Sequence, residues 1–440
     1  MLKAGKKMAM KIVKTGEAEA SGLRERLCRR GEWDQEEVER EVKDVLREVR
    51  RRGDQALIDF TFRFDGYRLE PAQLRVREEE IRAAYGEVRT EEIEALREAC
   101  ERIEAFHAGQ GKSSWFAPGE REILGQIERP LRRIGIYVPG GKASYPSSVL
   151  MNAVPARVAG VEEIAMCTPA APDLCISPWV LVAADMAGIR EIYRVGGAQA
   201  IGALAYGTDT IPAVDKIVGP GNIYVAVAKQ MVFGRVDIDM VAGPSEVLVY
   251  AEEGADPCLI AADLLSQAEH DERAYVLVVT PSALLAEAVC REVERQVQDL
   301  PRSSIVSKCL EDNGYILICG DRKEGVEWIN AVAPEHLELM VEDPWPLVGS
   351  IRNAGAIFLG AFSPEVLGDY LAGPSHVLPT GGTARFSSPL GVDDFRKRSS
   401  LVFHSREALR NLGPSAIRLA RLEGLEAHAR AVEMRMRMEK

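Results

Sequence analysis

Six histidines stand among 440 residues, His107, His270, His336, His376, His404 and His428, and the neighbours of each decide what it could do. In SQAEHDE, His270 follows Gln267 by three residues at the end of a predicted helix, so the two side chains share one face and could converge on a metal. A helix C-terminus dressed with polar residues has the same look. Glu335 and His336, in APEHLEL, follow Pro334 directly before a predicted strand. A carboxylate beside an imidazole at a strand edge is equipped to move protons, and equally to solvate a loop. Asp369 and His376 flank a helix end in SPEVLGDYLAGPSH, and His428 lies in the terminal helix among Leu422, Leu425 and Val432; taken singly, each reads as structural. His107 borders an apolar helical stripe and reads as packing.

Four glycine-bearing turns follow predicted strands: VPGG at 138–141, VGGAQA at 195–200, VGPGN at 218–222 and AGPS at 242–245. Turns of this kind present backbone N–H groups at helix N-termini and suit anions. Tight strand-to-helix connections explain them nearly as well, and without a G-x-G-x-x-G run glycine alone identifies no nucleotide site.

The elements that must hold these residues alternate. Short β-branched runs at 134–138, 163–167, 192–195 and 216–218 alternate with helices such as 147–158 and 222–233, and a second series at 247–250, 275–280, 315–319, 337–341 and 356–359 repeats the pattern with helices such as 257–268. That predicts two α/β halves with mostly parallel sheets. Before them, Val38, Val42, Val45, Leu46 and Val49 recur at helix spacing behind Asp34 and Glu37, a capping pair, and a further helix starts near Thr90. After Gly373 the periodicity fails, and helices resume from Ser405 and Pro414. Residues 391–413 read as a polar linker that, extended at about 3.3 Å per residue, could span roughly 70 Å.

An apolar fraction of 46% and a charged fraction of 28% describe a folded globular chain, and its length suggests two or three domains. Fifty-five basic against 67 acidic residues leave a net charge of -12, which disfavours nucleic acid as a partner. The eight cysteines form no C-x-x-C pair and read as reduced core thiols. The basic start lacks the apolar stretch of a secretory signal and no window approaches a membrane span, so the expected location is the cytoplasm, with no membrane partner.

Taken together these runs resemble the histidinol dehydrogenase family. The resemblance is carried in order by IGIYVPGGKASYPSSVLMNAVPARVAGV, VGGAQAIGALAYGT, KIVGPGN, DMVAGPSEVLV, LLSQAEHDE, NAVAPEHLEL, LGDYLAGPSHVLPTGGTARFSSPLGVDDF and LEGLEAH, so it covers nearly the whole chain and is weakest over the first 120 residues. It implies an enzyme that uses zinc and NAD to oxidise histidinol through histidinal to histidine. The zinc ligands would be Gln267, His270, Asp369 and His428, and the metal would grip the substrate without redox chemistry. Glu335 and His336 would be the catalytic pair. Ser245, His376 and Glu423 would meet the substrate, and Tyr137, Gln199 and Asn222 the dinucleotide.

The fold so implied is two incomplete Rossmann-like domains in an intertwined homodimer, with His428 and Glu423 donated across subunits. The boundaries read as a helical region at 1–130 packing on the second α/β half, the first half at 131–244, the second at 245–385, and an arm with a helical tail at 386–440. Three rivals share parts of this pattern: a related zinc and NAD dehydrogenase of another small amino alcohol or diol, a zinc hydrolase with Glu335 activating water, and a metal-stabilised binding protein without catalysis.

Overall fold

The computed structural model describes residues 10–31, 36–111, 114–140, 144–241 and 243–438. Asp34, the expected helix cap, lies outside the described residues, as do Gly141 and Ala242 of two glycine-bearing turns.

Two all-parallel sheets carry the core. The first half contributes Arg133–Tyr137, Glu163–Cys167, Glu191–Tyr193, Lys216–Val218 and Asp237–Ile238; counted in chain order, these lie side by side as 3-2-1-4-5. The second half contributes Glu246–Ala251, Tyr275–Thr280, Gly314–Ile318, His336–Met340 and Ala356–Leu359 in the same order. Each is five strands of the doubly wound arrangement, whose crevice lies between strands 1 and 4. Strands covered by helices on both faces need continuous apolar runs, and EVLVYA at 246–251 is buried at every position. The helices between them start from local chemistry. Asp256 accepts a hydrogen bond from Cys258 N ahead of Pro257, and Asn222 accepts one from Val225 N.

The region before residue 130 does not pack on the second half as one body, which corrects the expectation. Lys11–Lys14 adds a sixth parallel strand beside Gly314–Ile318, and Ala20, Leu23 and Leu27 join Leu248, Tyr250 and Trp328 in the second half's core. The helices Glu36–Arg52 and Thr90–Ala108 go to the first half instead, where Val42 and Leu46 meet Ala200 and Leu204, and Ile103 meets Val149 and Leu150. An apolar stripe tells that a helix face is covered, not by which of two apolar surfaces. His107 is fully buried as a packing residue, its Nδ1 2.8 Å from Gln110 Oε1.

The polar linker is also corrected. Arg396–His404 is a nine-residue strand paired antiparallel along Glu122–Pro130, with Trp115–Pro118 on the far side. Ser405 then caps the helix Arg406–Leu422 through Ala408 N. That helix and Glu426–Met436 lie against each other and leave Leu412, Leu419, Leu422 and Met434 exposed. All eight cysteines are free, but Cys175 and Cys258 are exposed rather than in the core. Among the described residues no helix is long and apolar enough to cross a membrane.

Candidate active site

The chemistry of the second half gathers at the amino ends of its strands. His336 opens the strand His336–Met340, paired with Val247 on one side and Ala356 on the other. Its Nδ1 lies 3.0 Å from the carbonyl oxygen of Glu246, which can only accept. Nδ1 therefore carries a proton in either ionisation state, and Nε2, 3.8 Å from Asp369 Oδ1, is the nitrogen that gives up or takes the second. Glu335 Oε2 accepts a hydrogen bond from the backbone N of the same Glu246 at 2.9 Å. One residue's main chain thus grips both members of the pair. The side chain of Glu246 is fixed in turn, with Arg30 Nε donating to it at 2.6 Å and Gly381 N at 2.8 Å, both in the interior. Just before the pair, Ala333 adopts φ 48°, a left-handed conformation that a residue with a Cβ holds only under constraint.

Burial would lower the pKa of His336, but Glu335, Asp369 and Glu365 outweigh it and hold the ring well above the ordinary imidazole value. Burial pushes Glu335 up to about 8 against the pull of His336. Both shifts run upward, toward proton release at higher pH. Burial also opposes ionisation of Asp369, yet His336, His376 and His270 hold its carboxyl below the usual range.

Gln267 and His270 sit where the helix Pro257–Ala268 ends, with His270 N donating to the Gln267 carbonyl at 3.3 Å. Gln267 is 2% exposed, and His270 stands in solvent. Beside Gln267 lies Glu365, which receives a hydrogen bond from Ser266 Oγ at 3.0 Å, while its own N donates to Glu338 Oε1 at 2.8 Å. His376 joins the halves. Its Nδ1 donates to the Asp369 carbonyl at 3.0 Å, and its Nε2 meets Ser148 Oγ of the first half at 3.3 Å. Burial lowers the pKa of His376.

Gln267, Asp369, Glu335, His336 and His376 therefore form one cluster, with His270 at its rim. Ser245 immediately precedes Glu246 at the same edge, its carbonyl accepting from Tyr275 N. Glu423 and His428 stand exposed on the tail helices, and neither has a hydrogen bond or ion pair to the cluster. Among the described residues no group of three or more His, Cys, Asp or Glu could hold a metal.

In the first half the candidates sit at the opposite edge, the carboxyl ends of the strands. Tyr137 ends strand 1, and its hydroxyl accepts from Gly197 N at 3.1 Å. Gln199 is 1% exposed in the first turn of the helix Gly197–Tyr206, which follows strand 3, and its Oε1 has no partner. Asn222 caps the helix after strand 4. Gly219 brings that turn against Tyr137; at φ +113° a Cβ there would stand 2.1 Å from the Tyr137 carbonyl oxygen.

Sequence reasoning missed Arg30, Glu246, Glu365 and Glu338. Three of these left a signal, because Glu246 and Glu338 are charges inside otherwise apolar parallel strands and Glu365 lies in a run already singled out. Arg30 left none.

The model of the family described as histidinol dehydrogenase matches residues 28–436. A histidinol dehydrogenase of Geobacter metallireducens is 55% identical over 414 residues, 93% of this chain and 94% of that protein. One of Aquifex aeolicus is 54% identical over 411 residues, 93% and 95% of the two chains. The crystal structure of histidinol dehydrogenase from Elizabethkingia anophelis superposes with a TM-score of 0.92 at 38% identity, covering 98% of this chain and 99% of that one.

Proposed function

This chain belongs to the histidinol dehydrogenase family, and we propose that its second half supplies the bases for both oxidations of histidinol while its first half holds NAD. It is an oxidoreductase of histidine biosynthesis acting on histidinol. The observation that carries the mechanism is the double grip of Glu246, which sets Glu335 and His336 side by side with Nδ1 of the imidazole tied down and Nε2 left to move a proton.

His336 Nε2 takes the hydroxyl proton of histidinol as hydride leaves the same carbon, giving the aldehyde. Glu335, anchored through one oxygen, keeps the other for a water molecule and removes its proton as it adds to the aldehyde. His336 returns its proton to the aldehyde oxygen as the water adds, then takes one hydroxyl proton of the hydrate while a second hydride leaves, and the carboxylic acid so formed loses its remaining proton to solvent to give the carboxylate of histidine. NAD, when bound, accepts one hydride in each oxidation. Tyr137, Gln199 and Asn222 would hold it, and the unpartnered buried oxygen of Gln199 suits a donor such as a ribose hydroxyl.

Zinc would be held by Gln267, His270, Asp369 and His428 of the partner subunit, orienting the substrate's nitrogens. The donor set supports this: a carboxamide, an imidazole and a carboxylate suit a borderline cation, and the helix C-terminus that carries two of them favours positive charge. Ser245, His376 and Glu423 of the partner subunit complete the substrate's surroundings. The tail's exposed leucines, close to Glu423 and His428 in sequence and separate from their own cluster, support a homodimer in which the tail reaches its neighbour. The test is stoichiometry. Two NADH per histidinol consumed, with histidine as product and little free aldehyde, is the expected result, and one NADH per turnover would refute the shared site.

A further inference from the structure

A carboxamide presents two unlike ends. Its oxygen can meet a cation, whereas its NH2 group repels one. Something must therefore decide which end of Gln267 faces the space it shares with Asp369 and His270.

Set with its nitrogen toward Glu365, the Gln267 amide lies 3.2 Å from both oxygens of that carboxylate, and its oxygen faces only donors. Reversed, it would set its oxygen against the carboxyl oxygens of Glu365, one of which already accepts from Ser266, and turn its NH2 group toward donors, at a site where neither residue is more than 2% exposed. Glu365 cannot turn aside to relieve this. Ser266, the residue before Gln267 on the same helix, donates to Glu365 Oε1 at 3.0 Å, and the backbone of Glu365 is tied to Glu338 at 2.8 Å. Both ends of the contact are anchored, one on the helix Pro257–Ala268 and the other on the helix Glu365–Tyr370 that also carries Asp369.

We propose that Glu365 is a positioning residue that locks the Gln267 carboxamide with its oxygen toward the cation position. It makes no contact with the cation and acts on it through Gln267. The proposal rests on the reading of Gln267 as a metal donor. Outer partners of this kind typically contribute about 10–100-fold in metal affinity.

The test measures zinc affinity of the full-length protein by competition with a chromogenic chelator, with circular dichroism and a melting curve as the check on folding. Gln267→Ala and Glu365→Gln should each weaken zinc by about 10–100-fold. The exchange Gln267→Glu with Glu365→Gln should bind more tightly than Glu365→Gln alone. In it the amide now at 365 donates to the inner oxygen of the carboxylate at 267 and leaves the outer oxygen for the cation. If Glu365→Gln binds as tightly as the parent while Gln267→Ala does not, the lock is wrong and the metal site stands. If Gln267→Ala also binds as tightly as the parent, Gln267 is no ligand and both ideas fall. An exchange variant that folds and binds no better than Glu365→Gln likewise overturns the lock, and if Glu365→Gln itself fails to fold, zinc binding by a folded exchange variant weaker than that of a folded Gln267→Ala does the same.

Discussion

The two halves share a strand order and use opposite edges of it. In the first, Tyr137 and the Gly219 turn flank the crevice between strands 1 and 4 at the carboxyl ends of the strands, where the next helices begin. In the second, Glu246 and His336 flank the equivalent crevice at the amino ends, where helices such as Pro257–Ala268 finish. Helix beginnings expose unpaired N–H groups and favour negative charge, and helix ends expose carbonyls and favour positive charge, each by about 0.3–1 kcal/mol. The same topology thus offers a place for a pyrophosphate on one side and for a cation and mobile protons on the other. His376, bridging Asp369 and Ser148, and Ser375, bonded to the Met151 carbonyl at 3.2 Å, bring these two edges together.

The largest effect that would break this division is metal removal. Chelation should abolish turnover while NADH binding, followed by its fluorescence, stays as it was; loss of NADH binding as well would mean that the halves do not work separately. Next comes the proton-moving pair. His336→Asn should slow both oxidations by about 10²–10⁴-fold, and Glu335→Gln should spare alcohol oxidation relative to aldehyde oxidation. Equal losses on alcohol and aldehyde substrates in Glu335→Gln would remove the assignment of water to Glu335.

Whether the tail acts across subunits is tested by co-expressing His336→Ala with His428→Ala. Each variant alone should be inactive, and random pairing of symmetric dimers should restore about a quarter of the sites, because half the dimers are mixed and one of their two sites is intact. Mixed dimers without activity would place His428 in its own chain's site. In the first half, Gly219→Ala should raise the KM for NAD by about tenfold, equivalent to about 1.4 kcal/mol, and leave zinc affinity alone. The smallest effect concerns pH. His336 acts as a base only when neutral, and its raised pKa makes the rate of alcohol oxidation climb toward alkaline pH. Removing a negative neighbour lowers that pKa, so Glu335→Gln should move the rising arm to lower pH, and an arm that stays in place would detach Glu335 from the titration of His336.

Much of this arrangement was legible because it is local. The strands at 163–167, 216–218, 275–280 and 356–359 and the helix at 257–268 coincide with the expected bounds, since apolar runs and a proline at the first helical position are short-range signals. The pairing of Arg396–His404 with Glu122–Pro130 was not legible, because a polar strand at an edge has the composition of a loop. At the site, the histidines and their acidic neighbours drew attention by type. Glu246 serves the pair through its backbone, which no side-chain pattern discloses, and Arg30 reaches it from 216 residues away.

The strand Lys11–Lys14 carries a consequence for synthesis. Its partner, Gly314–Ile318, lies about three hundred residues downstream, and the whole first half is encoded between them. At a ribosomal rate of about 5–20 residues per second the leading strand waits roughly 15–60 s for its neighbour, time in which the first half has all of its own strands and can close. The second half must then be completed around both ends of an already folded insert. An edge strand left unpaired for that long is a standing invitation to wrong partners, and Lys11 and Lys14, which flank its apolar Ile12 and Val13, are charges of the kind that discourage such pairing.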